Sequence, residues 1–241
     1  MLKLLALVFG ALKLGKVMTT GGTMLLSVLM YSFIFGWRYA VGFVVLMFVH
    51  EMGHYVAARQ RGLKVGLPTF IPFVGAWVEL KDLPHNAEVE AYVGLGGPLV
   101  GTLGAFACYY AARQLDSSLL LAISYSGFFL NLFNMIPVSP FDGGRITAVL
   151  GPRVWLLGVP ILVGMFLWHP SPMYILMALL AAPQVMKAIH YDKNAPENRA
   201  YYEVGAEQRV TYTAYYLILL VVLAAMTYSV HEMLGAAGRT T

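Results

Sequence analysis

The sequence predicts an all-α polytopic membrane protein of six or seven transmembrane helices, with one short membrane-associated β-hairpin. Three observations predict it. Hydrophobic residues make up 59% of the 241 residues and charged residues only 12%, against about 25% charged in an ordinary soluble domain. Long apolar runs recur between short polar or Gly/Pro-rich segments, and mean hydropathy is +0.69. One apolar stretch, Leu67 to Leu80, is too short and too proline-broken to span as a helix. A soluble chain of this length has too little polar surface to cover so many apolar side chains.

The elements follow in order. Residues 1–17 carry Lys3, Lys13 and Lys16 among leucines, which suits a basic amphipathic segment on the membrane surface. Residues 18–36 are the first span, ending at the aromatic and charged anchors Trp37, Arg38 and Tyr39. The second span, 40–61, ends at Arg59-Gln60-Arg61-Gly62, with cations and a glycine where a helix C-terminus favours them. Residues 63–83 read as an extended hairpin or re-entrant backbone, tolerated at membrane depth only where protein or a wet cavity satisfies it. Glu88 and Glu90 read as a solvated acidic face. The third span, 92–113, opens on Gly97-Pro98-Leu99-Val100-Gly101, a small-xxx-small face for close packing.

The fourth span, 119–136, carries Asn131 and Asn134 near its end. The loop 135–145 holds two prolines and two glycines, which forbid a continuous helix. Residues 153–168 and 172–189 are the fifth and sixth spans. A polar segment, 191–211, precedes a seventh apolar span at 212–234. The membrane-embedded core is expected over 18–190. No cleavable signal sequence is expected, since no small-residue cleavage site follows the apolar N-terminus.

Charge placement reports orientation. With a cytoplasmic N-terminus, thirteen of the sixteen Lys and Arg fall on the cytoplasmic side, and only Arg38, Arg113 and Arg239 on the other. The second span then runs inward. No basic patch alternates with exposed aromatics, so nucleic acid is not an expected partner. The single cysteine, Cys108, sits in an apolar run and reads as a buried structural thiol.

The chemistry lies in the second span: Phe48-Val49-His50-Glu51-Met52-Gly53-His54. Ionisable groups are costly in a bilayer and mark function there. His50 and His54 are four apart and project from one face of a helix, so they can share one metal. Zinc accepts imidazole nitrogen and keeps an open position when the protein supplies three ligands. Glu51 can take a proton from a water attacking a carbonyl. His54 precedes Arg61 by seven residues, about 10 Å of helix, so the motif lies within the bilayer near the cytoplasmic face. Candidates for a third ligand are Asp142, Glu79, His85, Asp116, His169, His190 and His231. Asp142 is the best placed by depth, although Asp-Gly also marks an ordinary turn.

The His50–His54 motif, the Gly97–Gly101 entry to the third span, and Asn134 with Asp142-Gly143 eight residues on resemble the site-2 protease family of intramembrane zinc metalloproteases. The resemblance covers most of residues 40–150, in the family's order. It is closest to short bacterial members, including those that process sporulation sigma-factor precursors; the chain is expected to depart from the family in having no inserted PDZ-like domain between the spans and no nucleotide-binding regulatory domain after residue 234. It implies one zinc per chain, held by His50, His54 and Asp142, with Glu51 as catalytic acid/base. It implies that Asn134 contacts substrate backbone or the oxyanion, and that the 67–80 hairpin pairs with an unwound substrate. The family often has Asn where this chain has Gly101, so position 101 offers no amide.

The expected function is zinc-dependent hydrolysis of peptide bonds within or beside transmembrane segments of membrane protein substrates. The expected location is a bacterial cytoplasmic membrane, with the active site opening to the cytoplasm and the lipid bilayer as the other partner. Intramembrane His and Glu also mark ion pathways, so a metal or proton transporter is the alternative. Ser124-Tyr125-Ser126-Gly127 faintly resembles the rhomboid serine motif, but that reading leaves His50 and His54 without a role. An inactive scaffold would leave Glu51 without one.

Overall fold

The computed structural model describes residues 2–73 and 75–237, with side chains over 19–73 and 75–236. Helix α1 covers Leu2–Phe35 and α2 Trp37–Gln60. Strands β1, Thr69–Ile71, and β2, Gly75–Trp77, form an antiparallel pair with Phe70 opposite Ala76. Then follow α3, Ala87–Gln114, and α4, Ser118–Asn134. A short helix α5, Asp142–Ile146, leads through 3₁₀ turns over Thr147–Leu150 and Pro152–Leu157 into α6, Gly158–Trp168. The chain ends in α7, Pro172–Ile189, α8, Pro196–Tyr202, and α9, Ala206–Ala237.

The protein is an integral membrane protein of helical architecture. Among the described residues, four helices, α2, α3, α7 and α9, are long and apolar enough to cross a bilayer, and Thr19–Phe35, Ser118–Asn134 and Pro152–Trp168 are shorter apolar helices. Helix α2, at 24 residues, reaches about 36 Å and covers the roughly 30 Å of hydrocarbon. The fifth span begins as 3₁₀ rather than α because Pro152 starts it and Gly158 and Pro160 interrupt the ladder. Lys3, Lys13, Lys16, Val74 and Arg239 have side chains outside the described residues.

Helices α2 and α3 form the centre. They approach so closely that a Cβ on Gly53 would collide with the Gly96 carbonyl, and one on Gly96 would lie 2.7 Å from Ala57 Cβ. Helices α1 and α4 flank this pair, and α9 packs mainly on α4. Phe128, Leu223 and Val230 are fully buried along that seam. The outer faces of α1, α6, α7 and α9 expose Phe33, Leu167, Leu179 and Val221, as a lipid-facing surface should.

The third span starts five residues earlier than expected. Asn86 caps α3 by accepting from Val89 N–H at 2.9 Å, and Glu88 and Glu90 fall in the first turn, where the helix dipole favours acids. They are not a solvated face. Arg61 pairs with Glu88 at 2.7 Å, Tyr212 Oη donates to Glu88 at 2.6 Å, and Tyr201 Oη donates to Glu90 at 2.6 Å. These bonds gather the end of α2 and the starts of α3 and α9 at one face.

The hairpin climbs along α1. Phe70 N–H donates to Thr23 Oγ1 at 3.3 Å and Phe73 N–H to Tyr31 Oη at 3.1 Å. Thr23 and Tyr31 are eight residues apart, about 12 Å of helix. The tip therefore reaches well beyond the base of the hairpin, where Val65 bridges Leu80, into the span of α1.

Candidate metal centre

His50 and His54 leave α2 on the same side, and their other ring nitrogens are fixed. His54 Nδ1 donates to the Val93 carbonyl of α3 at 2.7 Å. His50 Nδ1 lies 2.8 Å from Asn131 Oδ1 of α4. The Asn131 amide is oriented by its NH₂, which donates to the Gly127 carbonyl at 2.7 Å. Its oxygen therefore faces His50, and His50 Nδ1 is the donor. A carbonyl partner on Nδ1 fixes the tautomer of each neutral imidazole and leaves its Nε2 lone pair free.

Asp142 comes to these nitrogens from the end of a compact loop. Ser139 N–H donates to Gln184 Oε1 of α7, Trp155 Nε1 donates to the Gly144 carbonyl at 2.8 Å, and Thr147 Oγ1 donates to the Gly143 carbonyl at 2.7 Å. A Cβ on Gly143 would collide with the Met135 and Ile136 backbone, and one on Gly144 would lie 2.7 Å from the Val138 carbonyl carbon. The two glycines let the loop fold back on itself and start α5 at Asp142.

The three side chains converge. Asp142 Oδ2 lies 3.1 Å from His50 Nε2, Asp142 Oδ1 lies 3.1 Å from His54 Nε2, and the two Nε2 atoms are 3.2 Å apart. All three residues are buried. Lone pairs meeting at this distance in a buried site repel unless a proton or a metal cation lies between them. Ligands at about 2.0–2.1 Å from a tetrahedral zinc are about 3.3 Å from one another, close to the separations seen. Two neutral imidazoles and a carboxylate are a zinc-type donor set, and three protein ligands leave a fourth position open. The residues present fit the ion.

Helix α3 makes room for this centre. A Cβ on Gly97 would collide with the His54 ring at Nε2, Cε1 and Cδ2, and one on Gly101 with the Asn131 amide oxygen. These glycines do more than pack helices: one clears space for a metal-ligating ring and the other for the amide that orients its neighbour. Asn131 carried no assigned role in the sequence. The available signal was a buried-type amide in an apolar span, three residues before Asn134.

A cavity of about 460 Å³ opens on the centre. His50, Glu51, His54, Asp142 and Asn134 all line it, beside Tyr31, Phe73 and the β2 residues Gly75, Ala76 and Trp77. Glu51 is 7% exposed and makes no hydrogen bond or ion pair among the described residues. Its carboxylate is free for a water or substrate. Asn134 Nδ2 donates to the Leu130 carbonyl at 3.1 Å, which leaves its oxygen and second N–H for another partner.

Of the other third-ligand candidates, none of Glu79, His85, Asp116, His169, His190 and His231 belongs to a metal-type group among the described residues. His190 Nδ1 bonds the Met186 carbonyl at 2.9 Å, and His231 packs against Tyr125 with ring centroids 5.7 Å apart. Ser126 lies 2.5 Å from Tyr39 Oη and donates to the Ala122 carbonyl, outside the cavity.

The profile of peptidase family M50 matches residues 38–116. The zinc metalloprotease MJ0392 of Methanocaldococcus jannaschii is 30% identical over 116 residues, 45% of this chain and 33% of that protein. MJ0611 of the same archaeon, also named as a zinc metalloprotease, is 30% identical over 179 residues, 59% of this chain and 90% of that protein. The chloroplastic protein EGY1 of Oryza sativa subsp. japonica, likewise named as a zinc metalloprotease, is 24% identical over 153 residues, 44% of this chain and 26% of that protein. The chain thus spans a third or less of the length of the first and third of these relatives, and most of the second. A solved structure, the site-2 protease from Methanocaldococcus jannaschii, aligns with 24% identity and TM-score 0.46, covering 69% of this chain and 84% of that one.

Proposed function

The chain belongs to peptidase family M50, the site-2 protease family, and from that premise we propose that it is a zinc metalloendopeptidase. Its substrates would be membrane proteins, cut within or beside a transmembrane segment. The observation that carries this reading is the meeting of His50, His54 and Asp142 at 3.1–3.2 Å, beside a Glu51 that makes no hydrogen bond or ion pair among the described residues.

His50, His54 and Asp142 would hold the zinc. Zinc bound there supplies Lewis-acid chemistry: it acidifies water and polarises a carbonyl. Glu51 takes a proton from the attacking water and delivers it to the leaving amine. Asn134, whose oxygen and one N–H make no hydrogen bond among the described residues, orients substrate backbone. Asn131 and the Val93 carbonyl hold the two imidazoles in the ligating tautomer. The β2 residues at the cavity wall offer an extended edge to which an unwound substrate can add as a strand. A helical substrate must unwind first, since its carbonyls are engaged in hydrogen bonds.

The domain boundaries follow this reading: a catalytic core over 18–190, a basic segment before it, a polar cytoplasmic segment at 191–211 and a further crossing at 212–234. The Lys and Arg bias supports a cytoplasmic N-terminus and a cytoplasmic opening of the site, in the cytoplasmic membrane of a bacterium.

The test pairs two variants with metal analysis. Glu51→Gln should retain zinc and lose peptide cleavage by about 10²–10⁴-fold, while Asp142→Ala should lose zinc. Full cleavage by Glu51→Gln removes the acid/base assignment. Equal, tight zinc in Asp142→Ala and wild type removes Asp142 from the ligand set. Zinc- or proton-coupled flux in liposomes without any peptide cleavage would favour a transporter.

A further inference from the structure

The cavity beside the metal centre holds one cation that the chemistry above leaves unused. Arg145 lines it, on α5, three residues after Asp142. Residues three apart on a helix leave it on the same side, with Cβ atoms about 5–6 Å apart. The Arg145 guanidinium makes no hydrogen bond or ion pair among the described residues. Its charge reaches Glu51 and Glu90, yet Glu90 is bonded to Tyr201 Oη at 2.6 Å. Arg61 shows what the fold does with a structural arginine: it pairs with Glu88 at 2.7 Å and lies 4.0 Å over the Tyr92 ring.

Beyond Glu51, Asn134 and the three metal-type ligands, much of the wall is apolar, with Phe43, Met47, Phe133, Met173 and Leu180 facing the same space. A guanidinium that lines such a cavity without a hydrogen bond or ion pair among the described residues is favourably joined by an anion. An extended peptide advances about 3.3 Å per residue. With its scissile carbonyl at the metal centre, a residue one or two along lies about 3–7 Å further on, the scale of the i, i+3 Cβ separation between Asp142 and Arg145. The guanidinium fork matches a carboxylate through two parallel N–H bonds, which a single amide carbonyl does not offer.

We propose that Arg145 is a specificity-determining residue that receives a substrate carboxylate, an Asp or Glu one or two residues from the scissile bond. The preferred segment is then apolar with a single acidic side chain beside the cleavage point. Such a segment occurs where a transmembrane helix meets the membrane surface. This inference rests on the metalloprotease reading and names its substrate class.

The probes are fluorescent synthetic peptides of transmembrane length, apolar apart from one Asp or, in the paired peptide, one Asn at successive positions. Binding is measured in micelles to zinc-loaded Glu51→Gln protein, and cleavage with wild type. At one position the Asp peptide should bind about tenfold more tightly than its Asn partner. Adding Arg145→Gln should bring the pair within about twofold, and Arg145→Lys should recover part of the preference. Zinc content should be the same in all variants. The inference is overturned by equal binding of Asp and Asn peptides at every position, by a preference that survives Arg145→Gln, or by zinc loss in both Arg145 variants. An Arg145-dependent Asp preference without cleavage by wild type would keep Arg145 as a carboxylate-binding residue of the cavity but remove the protease reading, and with it the role in cleavage specificity.

Discussion

Asn131 stands over Gly101. A side chain on Gly101 would begin inside the Asn131 amide, and that amide receives His50 Nδ1–H at 2.8 Å. Helix α3 thus contributes an empty place and α4 fills it with the group that orients a metal-type ring. Position 101 has no amide of its own, yet an amide occupies this part of the site, supplied by the neighbouring helix.

Asn131→Ala should weaken zinc binding by about 10–100-fold, the usual effect of removing a group that orients a ligating histidine. Asn131→Asp keeps an acceptor on His50 Nδ1 and should remain within about tenfold of wild type. Competition against a chelator of known affinity reads both. Unchanged affinity in Asn131→Ala would mean that the bond to His50 does not orient the ring.

Gly97→Ala should lower zinc affinity by at least about tenfold, because the added methyl must displace the His54 ring. Gly164→Ala is the control. A Cβ there meets nothing within 4 Å, and Ala is the better helix former. Zinc retained equally by both variants would show that the α2–α3 interface gives way more easily than its close approach implies.

Tyr31→Phe should loosen the hairpin tip and leave the metal centre intact. Phe73 has φ +65°, a region costly for a side-chain-bearing residue, and its N–H donates to Tyr31 Oη. Losing a bond of this kind costs about 1 kcal/mol, or about a fivefold change in a local opening equilibrium. Hydrogen exchange over residues 69–77 should speed up by about that factor. No change there would mean that ring packing, not the hydroxyl, holds the tip.

Tyr201 lies outside the membrane-spanning segments, on α8. Burial, and then the charge of Glu90 to which it donates, hold its phenol well above the usual pKa of 10. The folded protein therefore keeps a proton that the unfolded chain loses near pH 10. This contribution to stability is complete below about pH 10 and falls as pH rises beyond it. Thermal melts in micelles between about pH 8 and pH 11 should decline more steeply for wild type than for Tyr201→Phe. Parallel declines would show that the raised phenol contributes nothing.

Much of the fold was legible because it depends on local pattern. Apolar runs of bilayer length mark the helices, and the prolines of 68–72 and 137–140 mark where helix cannot continue. Glu88 and Glu90 were misread because their partners, Arg61, Tyr212 and Tyr201, lie 27 to 124 positions away. An acidic pair beside an apolar run reads as surface unless the approach of α9 and α8 is known.

The sequence by itself determined the second span and the spacing of His50, Glu51 and His54, since helical periodicity alone puts two imidazoles on one face. Only the tertiary structure decided what meets them. Asp142 is 92 positions from His50 and Asn131 is 81, and no periodicity links such positions. Their meeting depends on how closely α2, α3 and α4 approach one another. That approach is set by absent side chains, at Gly53, Gly97 and Gly101, whose effect exists only between helices.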